Sequence, residues 1–178
     1  MEGQEIILSF KFIKKKGVIV VSRMSWDEYF INIVDVIGQR ATCDRGKSGA
    51  LIVRDKRILT TGYVGSPQGL SHCDEEGHII HTVIDENGKE SKHCVRTLHA
   101  EENAILQAAQ FGPPLVGATL YCKMTPCFRC AMKIIRVGIV RVVVKKRYHT
   151  EARTIEWFKK AKIQLDILED KIEEYENQ

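Results

Sequence analysis

Two short segments constrain this chain more than anything else in it: His99-Ala100-Glu101 and Pro126-Cys127-Phe128-Arg129-Cys130. His99 offers a neutral imidazole nitrogen, and Cys127 and Cys130 offer thiolates, a donor set that suits zinc. A structural zinc takes four protein ligands, whereas a hydrolytic one keeps three and leaves the last position to water. Glu101 then has a separate use, as a carboxylate beside the metal that does not bind it. Whatever fold the chain adopts must bring both segments around one ion.

Local sequence supports that division. Residues 99–110 (HAEENAILQAAQ) contain no Gly or Pro, are rich in helix formers, and run into Phe111-Gly112-Pro113-Pro114, a strong stop. His99 and Glu101 are expected in the first turn. Two positions apart, they diverge around the helix, so one can hold metal while the other approaches from a different side. In the second segment Thr125 reads as an N-cap and Pro126 as the first helical residue. Cys127 and Cys130 then lie at i and i+3 on the positive end of a helix dipole, which favours thiolates. A Cys-x-x-Cys alone is as often a structural zinc knuckle or a redox pair; the added His-x-Glu and Pro favour a catalytic ion.

The 178 residues form one domain's length, enough to bury a core without staples. The formal net charge of +4 permits anionic ligands such as nucleotides but does not mark a protein that coats nucleic acid. Six cysteines sitting beside histidines at ligand spacing point to metal binding in a reducing cytoplasm, not to disulfides. Residues 4–22 hold apolar stretches, but Lys11 and Lys14 to Lys16 interrupt them, so no membrane span or signal peptide is expected. Residues 1–23 read as a strand-like or loosely attached extension, or as an artefact of start-site choice at Met24.

From Ser25 the pattern sharpens. Ser25-Trp26-Asp27-Glu28 fits a capping box, and Trp26, Phe30, Ile33 and Ile37 follow at helical spacing. Residues 49–53 and 57–63 predict an antiparallel hairpin turning at Asp55-Lys56. A long polar segment covers 65–97. A helix (99–110), a strand near 117–123, a helix (126–136), a buried parallel strand (139–145), a helix near 151–161 and a short strand near 163–167 follow. Residues 169–178 read as a charged helix or frayed tail, and Cys122 as core. The alternation predicts an α/β fold of three layers, α/β/α, around a mixed sheet of about five strands.

His-x-Glu followed by Pro-Cys-x-x-Cys is the known signature of zinc-dependent nucleobase deaminases. The longer blocks are more specific: RMSWDEYF (23–30), Cys43 with GKSGALIVRD (46–55), GYVGSPQGLSHCDE (62–75), HCVRTLHAEENAILQAA (93–109) and GATLYCKMTPCFRC (117–130). Over residues 24–168 the chain resembles the deoxycytidylate (dCMP) deaminases of the cytidine deaminase superfamily. The resemblance implies the cytidine-deaminase fold and conversion of dCMP to dUMP for thymidylate synthesis. It implies zinc held by His99, Cys127 and Cys130, and Glu101 as proton shuttle. It also implies a homo-oligomer, a hexamer, with dCTP and dTTP as effectors. Asn103 would face the sugar and Tyr148 the nucleotide, against the plainer readings of a helix-surface amide and a packing ring.

The loop carrying Gly62, Gly65 and Gly69 resembles one that relatives use around nucleotides, where backbone amides could approach a phosphate; ordinary turns would explain the glycines equally. Relatives usually carry Asn where this chain has Val64, which argues against assuming effector control. Cys43, Cys73 and Cys94, with His78, His72 or His93, could close a second, structural zinc site. Because relatives often carry a further Cys at the position of His78, the favoured set is Cys43, Cys73, His78 and Cys94, against a plain reading as buried small side chains. Rival functions are a polynucleotide or tRNA deaminase, the riboflavin-pathway deaminase, which usually spaces its cysteines more widely, and a non-catalytic zinc-stabilised binding module.

Overall fold

The computed structural model describes residues 12–15, 18–21, 23–84, 88 and 90–173. Strands β1 (Phe12–Lys15) and β2 (Val18–Val21) pair antiparallel as a separate ribbon within the N-terminal extension. Helix α1 (Trp26–Gly38) starts at the expected capping box: Glu28 N–H donates to Ser25 Oγ at 3.2 Å, and Ser25 N–H donates to the Glu28 carboxylate at 2.8 Å. Strands β3 (Gly49–Arg54) and β4 (Arg57–Tyr63) form the expected hairpin. Asp55 and Lys56 turn it with φ of 52° and 62°, the pair of positive values that a tight two-residue loop needs.

The long polar segment 65–97 contains three elements. These are the single-turn α2 (Cys73–Glu76) and the antiparallel pair β5 (Ile80–Ile84) and β6 (Glu90–Cys94). Then follow α3 (Ala100–Phe111), β7 (Thr119–Met124), α4 (Phe128–Arg136), β8 (Arg141–Lys146), α5 (Ala152–Lys160) and β9 (Gln164–Ile167). The central sheet runs β4-β3-β7-β8-β9, with β3 antiparallel to both neighbours and β7, β8 and β9 mutually parallel. It is the mixed five-stranded sheet that the pattern predicted.

Strand alternation sorts the core into two layers. Ala50, Ile52, Leu120, Cys122, Val142 and Val144 face α3, α4 and α5, where Ala100, Ala104, Ile134 and Phe158 meet them. Leu51, Val53, Tyr121 and Val143 face Phe30, Ile31 and Val34 of α1. Cys122 is fully buried, as core.

The approach of α3 to β4 depends on Gly62, which lies inside the strand. A Cβ there would sit 2.2 Å from the Ala100 carbonyl oxygen and 2.4 Å from the Ala104 nitrogen. Only a residue without a side chain lets the first turn of α3 rest on the sheet.

On the other face lies a half-buried polar network. Arg141 donates Nη1 and Nη2 to Asp27 at 3.0 and 2.8 Å, and Nε to Asp166 at 2.7 Å. The Tyr121 hydroxyl donates to Asp27 at 2.7 Å. The Arg141 guanidinium holds the Asp27 carboxyl below its usual range, despite partial burial.

The C-terminal stretch is docked rather than helical as far as it is described. Arg147 pairs with Ile172, and the nearly buried Glu173 receives Lys123 at 2.7 Å and Lys146 at 2.6 Å. Residues 174–178 of the expected tail lie outside the described residues.

Two outcomes follow from this packing. Gly62→Ala should destabilise by about 1–3 kcal/mol, lowering the melting point by roughly 3–10 °C, because the helix must lift from the sheet. Gly46→Ala, with nothing within 4 Å of a new Cβ, is the near-neutral control. Asp27→Asn should lower the melting point by about 3–6 °C at pH 7. A depressed carboxylate stabilises above its unfolded pKa of about 4 and loses that contribution as pH falls through the lower folded value. The gap between wild type and Asp27→Asn should therefore close below about pH 4, which melting curves against pH would read directly.

Candidate active site

His99 and Cys127 are not first-turn residues, as expected, but the N-caps of α3 and α4; Thr125 and Pro126 precede the cap. The displacement has a local cause. The Thr125 hydroxyl donates to the Glu151 carboxylate at 2.6 Å and the Thr154 hydroxyl donates to the Pro126 carbonyl at 2.9 Å, so this stretch is bound to α5 and its N-cap before α4 begins. Cys127 thus occupies the cap and Cys130 the end of the first three residues.

Both sulfurs lie 3.5 Å from His99 Nδ1. Two such donors on a tetrahedral zinc, at ordinary Zn–S and Zn–N lengths, sit about 3.6 Å apart. The three atoms are therefore already placed as ligands of one ion, and among the described residues no other His, Cys or carboxylate joins them. Their protonation conflicts without a cation. Cys130 and His99 push the Cys127 thiol down to about 3, while Cys127 and burial push Cys130 well up and Cys127 raises His99 to about 9. A divalent cation would let both sulfurs be thiolates and the imidazole be neutral.

Glu101 is 7 % exposed, and burial raises its carboxyl above the usual range. It lines the same cavity as His99 and Cys127, without belonging to the ligand cluster. That is the separation between ligand and acid which the two-residue spacing predicted. Tyr148 also lines this cavity, its phenol shifted up by burial.

Asn103 Nδ2 donates to the Tyr63 carbonyl at 2.7 Å, a tether between α3 and the end of β4, so it is not a free helix-surface amide. The loop that follows β4 is held by main-chain bonds. Leu98 N–H donates to Gly65 O at 3.0 Å, Gly65 N–H to Leu98 O at 3.4 Å and Val64 N–H to Ser48 O at 3.1 Å. These amides are used within the protein, so Gly62 and Gly65 serve packing here and do not cradle a phosphate. Gly69 takes φ +86°, a turn conformation. Val64 remains on the cavity wall.

A second donor cluster gathers Cys43, Cys73, His78 and Cys94, the four residues favoured from sequence. Cys73 and Cys94 sulfurs are 3.6 Å apart and Cys43 Sγ lies 3.7 Å from His78 Nδ1. Tetrahedral zinc geometry asks for about 3.8 and 3.6 Å. His78 Nε2 sits 2.9 Å from Asp44 Oδ1, the carboxylate–imidazole pairing that orients metal-binding histidines. Asp44 escaped sequence reasoning, although its place next to a candidate ligand was a usable signal. His72 instead contacts the Thr42 hydroxyl at 3.0 Å and His93 the Ser91 hydroxyl at 2.9 Å, so neither joins the cluster.

Comparison with known proteins agrees with this geometry. Residues 24–146 match the model of the cytidine and deoxycytidylate deaminase zinc-binding region. ComE operon protein 2 of Bacillus subtilis is 40% identical over 149 residues, which cover 84% of this chain and 74% of that protein. The deoxycytidylate deaminase of Schizosaccharomyces pombe is 38% identical over 145 residues, 80% of this chain but only 44% of the yeast protein, so the chain spans under half of that relative. A crystal structure of dCMP deaminase from the cyanophage S-TIM5, in complex with dCMP and dUMP, shares the fold with a TM-score of 0.64 at 23% identity, covering 82% of this chain and 99% of that one. With this matched span and these relatives, the chain belongs to the cytidine and deoxycytidylate deaminase family.

Proposed function

We propose that this chain hydrolyses the amino group of dCMP, releasing ammonia and giving dUMP for thymidylate synthesis. The observation that carries the reading is the placement of Glu101: buried, in one cavity with His99 and Cys127, and outside the cluster that those two form with Cys130. A zinc ion held by those three would bring the pKa of a water toward neutrality and leave a position open for it. Glu101 would take a proton from the attacking water, deliver it to the ring nitrogen beside the amine-bearing carbon, and protonate the departing ammonia. Its upward shift through burial suits a group that must both accept and return a proton. A purely structural zinc module has no use for such a carboxylate, which disfavours the non-catalytic reading. The names of the yeast and phage relatives support dCMP as the substrate over a polynucleotide.

The reading includes a second zinc, structural, on Cys43, Cys73, His78 and Cys94. Its support is the ligand spacing and the Asp44 hydrogen bond. It extends to a homo-oligomer of six chains, supported by family resemblance, and, with Val64 where relatives usually carry Asn, it does not include control by dCTP or dTTP. It extends also to a cytoplasmic setting, supported by six free thiols.

Two experiments test this. Glu101→Gln should keep its zinc and its melting point yet lose at least about 1000-fold in dCMP deamination, since proton transfer alone contributes about 100- to 10 000-fold. An unaffected rate would remove Glu101 from the chemistry. Elemental analysis should find two zinc ions per chain in the wild type and one in Cys43→Ser. A single ion in both proteins rules out the second site.

A further inference from the structure

The turn that joins β8 to α5 places Tyr148 on the cavity wall, and its two ends are closed on each other by charge. Arg147, the first residue after β8, gives Nη1 to the carboxylate of Glu151, the N-cap of α5. The other carboxylate oxygen accepts the Thr125 hydroxyl at 2.6 Å. Glu151 makes no side-chain capping bond to its own helix, and only 13% of its side chain is exposed. Thr125 is buried, lines the cavity, and stands two residues before the ligand Cys127. One acid therefore grips both the approach to a metal ligand and the turn that presents Tyr148. A second hold reaches the same point from the end of the chain. Arg147 N–H donates to Lys171 O at 2.8 Å, and Glu173 N–H donates to Arg147 O at 2.9 Å. Asp170 accepts Arg147 Nε, and Glu173 spans Lys123 of β7 and Lys146 of β8. Residues 170–173 are thus a strap across the ends of the two strands that lead to Thr125 and Tyr148.

We propose that Glu151 is a positioning residue for the reaction: through Thr125 it sets Cys127, and through Arg147 it sets Tyr148, with the strap as the fixed end. The proposal deepens the deaminase reading, which supplies what is positioned. Glu151 itself does not line the cavity. It acts by geometry, and geometry is costly to lose: a misplacement of about 1 Å at a reacting centre slows it about 100-fold. Groups that orient metal ligands are worth about 10- to 100-fold in metal affinity or activity. A carboxylate suits the place because it holds a cation and a hydroxyl at once.

The test follows zinc as well as turnover, on the zinc-loaded full chain. Glu151→Ala should lose about 10- to 100-fold in kcat for dCMP with zinc in excess. It should also release its catalytic zinc to a chromogenic chelator about 10-fold faster, the catalytic ion being the one missing from Cys127→Ser. Thr125→Val removes the same bond from its other end and should match that faster release. Glu151→Gln, which restores an acceptor for Thr125 but no charge for Arg147, should recover zinc retention. Asp27→Asn, on the far face of the sheet, separates positioning from stability: it should lower the melting point and leave kcat and zinc release unchanged. The brace is overturned if Glu151→Ala and Thr125→Val lower only the melting point, if Glu151→Gln releases zinc as fast as Glu151→Ala, or if Asp27→Asn reproduces the same losses. A wild type that frees no ammonia from dCMP sinks the deaminase reading, and zinc release then decides the brace by itself.

Discussion

The meeting of three donor atoms from two helix N-termini governs the arrangement of this molecule. A thiolate pair and an imidazole within 3.5 Å tolerate little drift, because a tetrahedral ion accepts its ligands only within a few tenths of an ångström. The scaffold supplies that tolerance from both sides. Gly62 seats α3 on β4, and Asn103 ties the same helix to the Tyr63 carbonyl. Thr125 and Thr154 fix the approach to α4, and Lys133 of α4 bridges to Glu102 of α3 at 2.7 Å. Parallel β7 and β8 deliver α4 and α5 to one side of the sheet, so the site forms beyond the strand ends, where open α/β sheets place their ligands.

The parts of this plan that depend on burial were legible in the sequence. Alternating Ala50, Leu51, Ile52 and Val53 announced a strand covered on both faces, and the Ser25–Glu28 box announced the start of α1. The parts that depend on polar contacts were not. Strand β5 is exposed at every position and α2 is a single turn, so neither leaves a hydrophobic period to detect. What the sequence did signal there is the spacing of Cys73, His78 and Cys94, which the structure gathers with Cys43. Glu173 docks the C-terminal stretch by charge, in a run of acidic residues that reads as a solvated tail. The two-residue offset at α4 is of the same kind: the Thr125 hydroxyl turned to Glu151, the N-cap of α5, and the Thr154 hydroxyl of α5 took the Pro126 carbonyl, so Thr125 does not open the helix it was expected to open.

The two donor clusters are not independent, since Cys43 and Cys94 border the cavity that also contains His99, Glu101 and Cys127. A two-stranded ribbon such as β5–β6 has little stability of its own in water. A metal held by Cys94 at its base and Cys43 on the neighbouring turn would fasten it beside the site. Glu101 and Cys127 enter the cavity from the helices, and Arg45, Lys92 and Cys94 from the turn and the ribbon.

Val64 closes the argument about that cavity. The loop around it is fixed by the Ser48 and Leu98 main-chain bonds and by Asn103, so the residue cannot turn away and its side chain remains part of the lining. A valine there offers no donor or acceptor, and the amides beside it are already used. Polar recognition therefore falls to the other lining groups, among them Glu101, His93, Thr97, Thr125 and Tyr148.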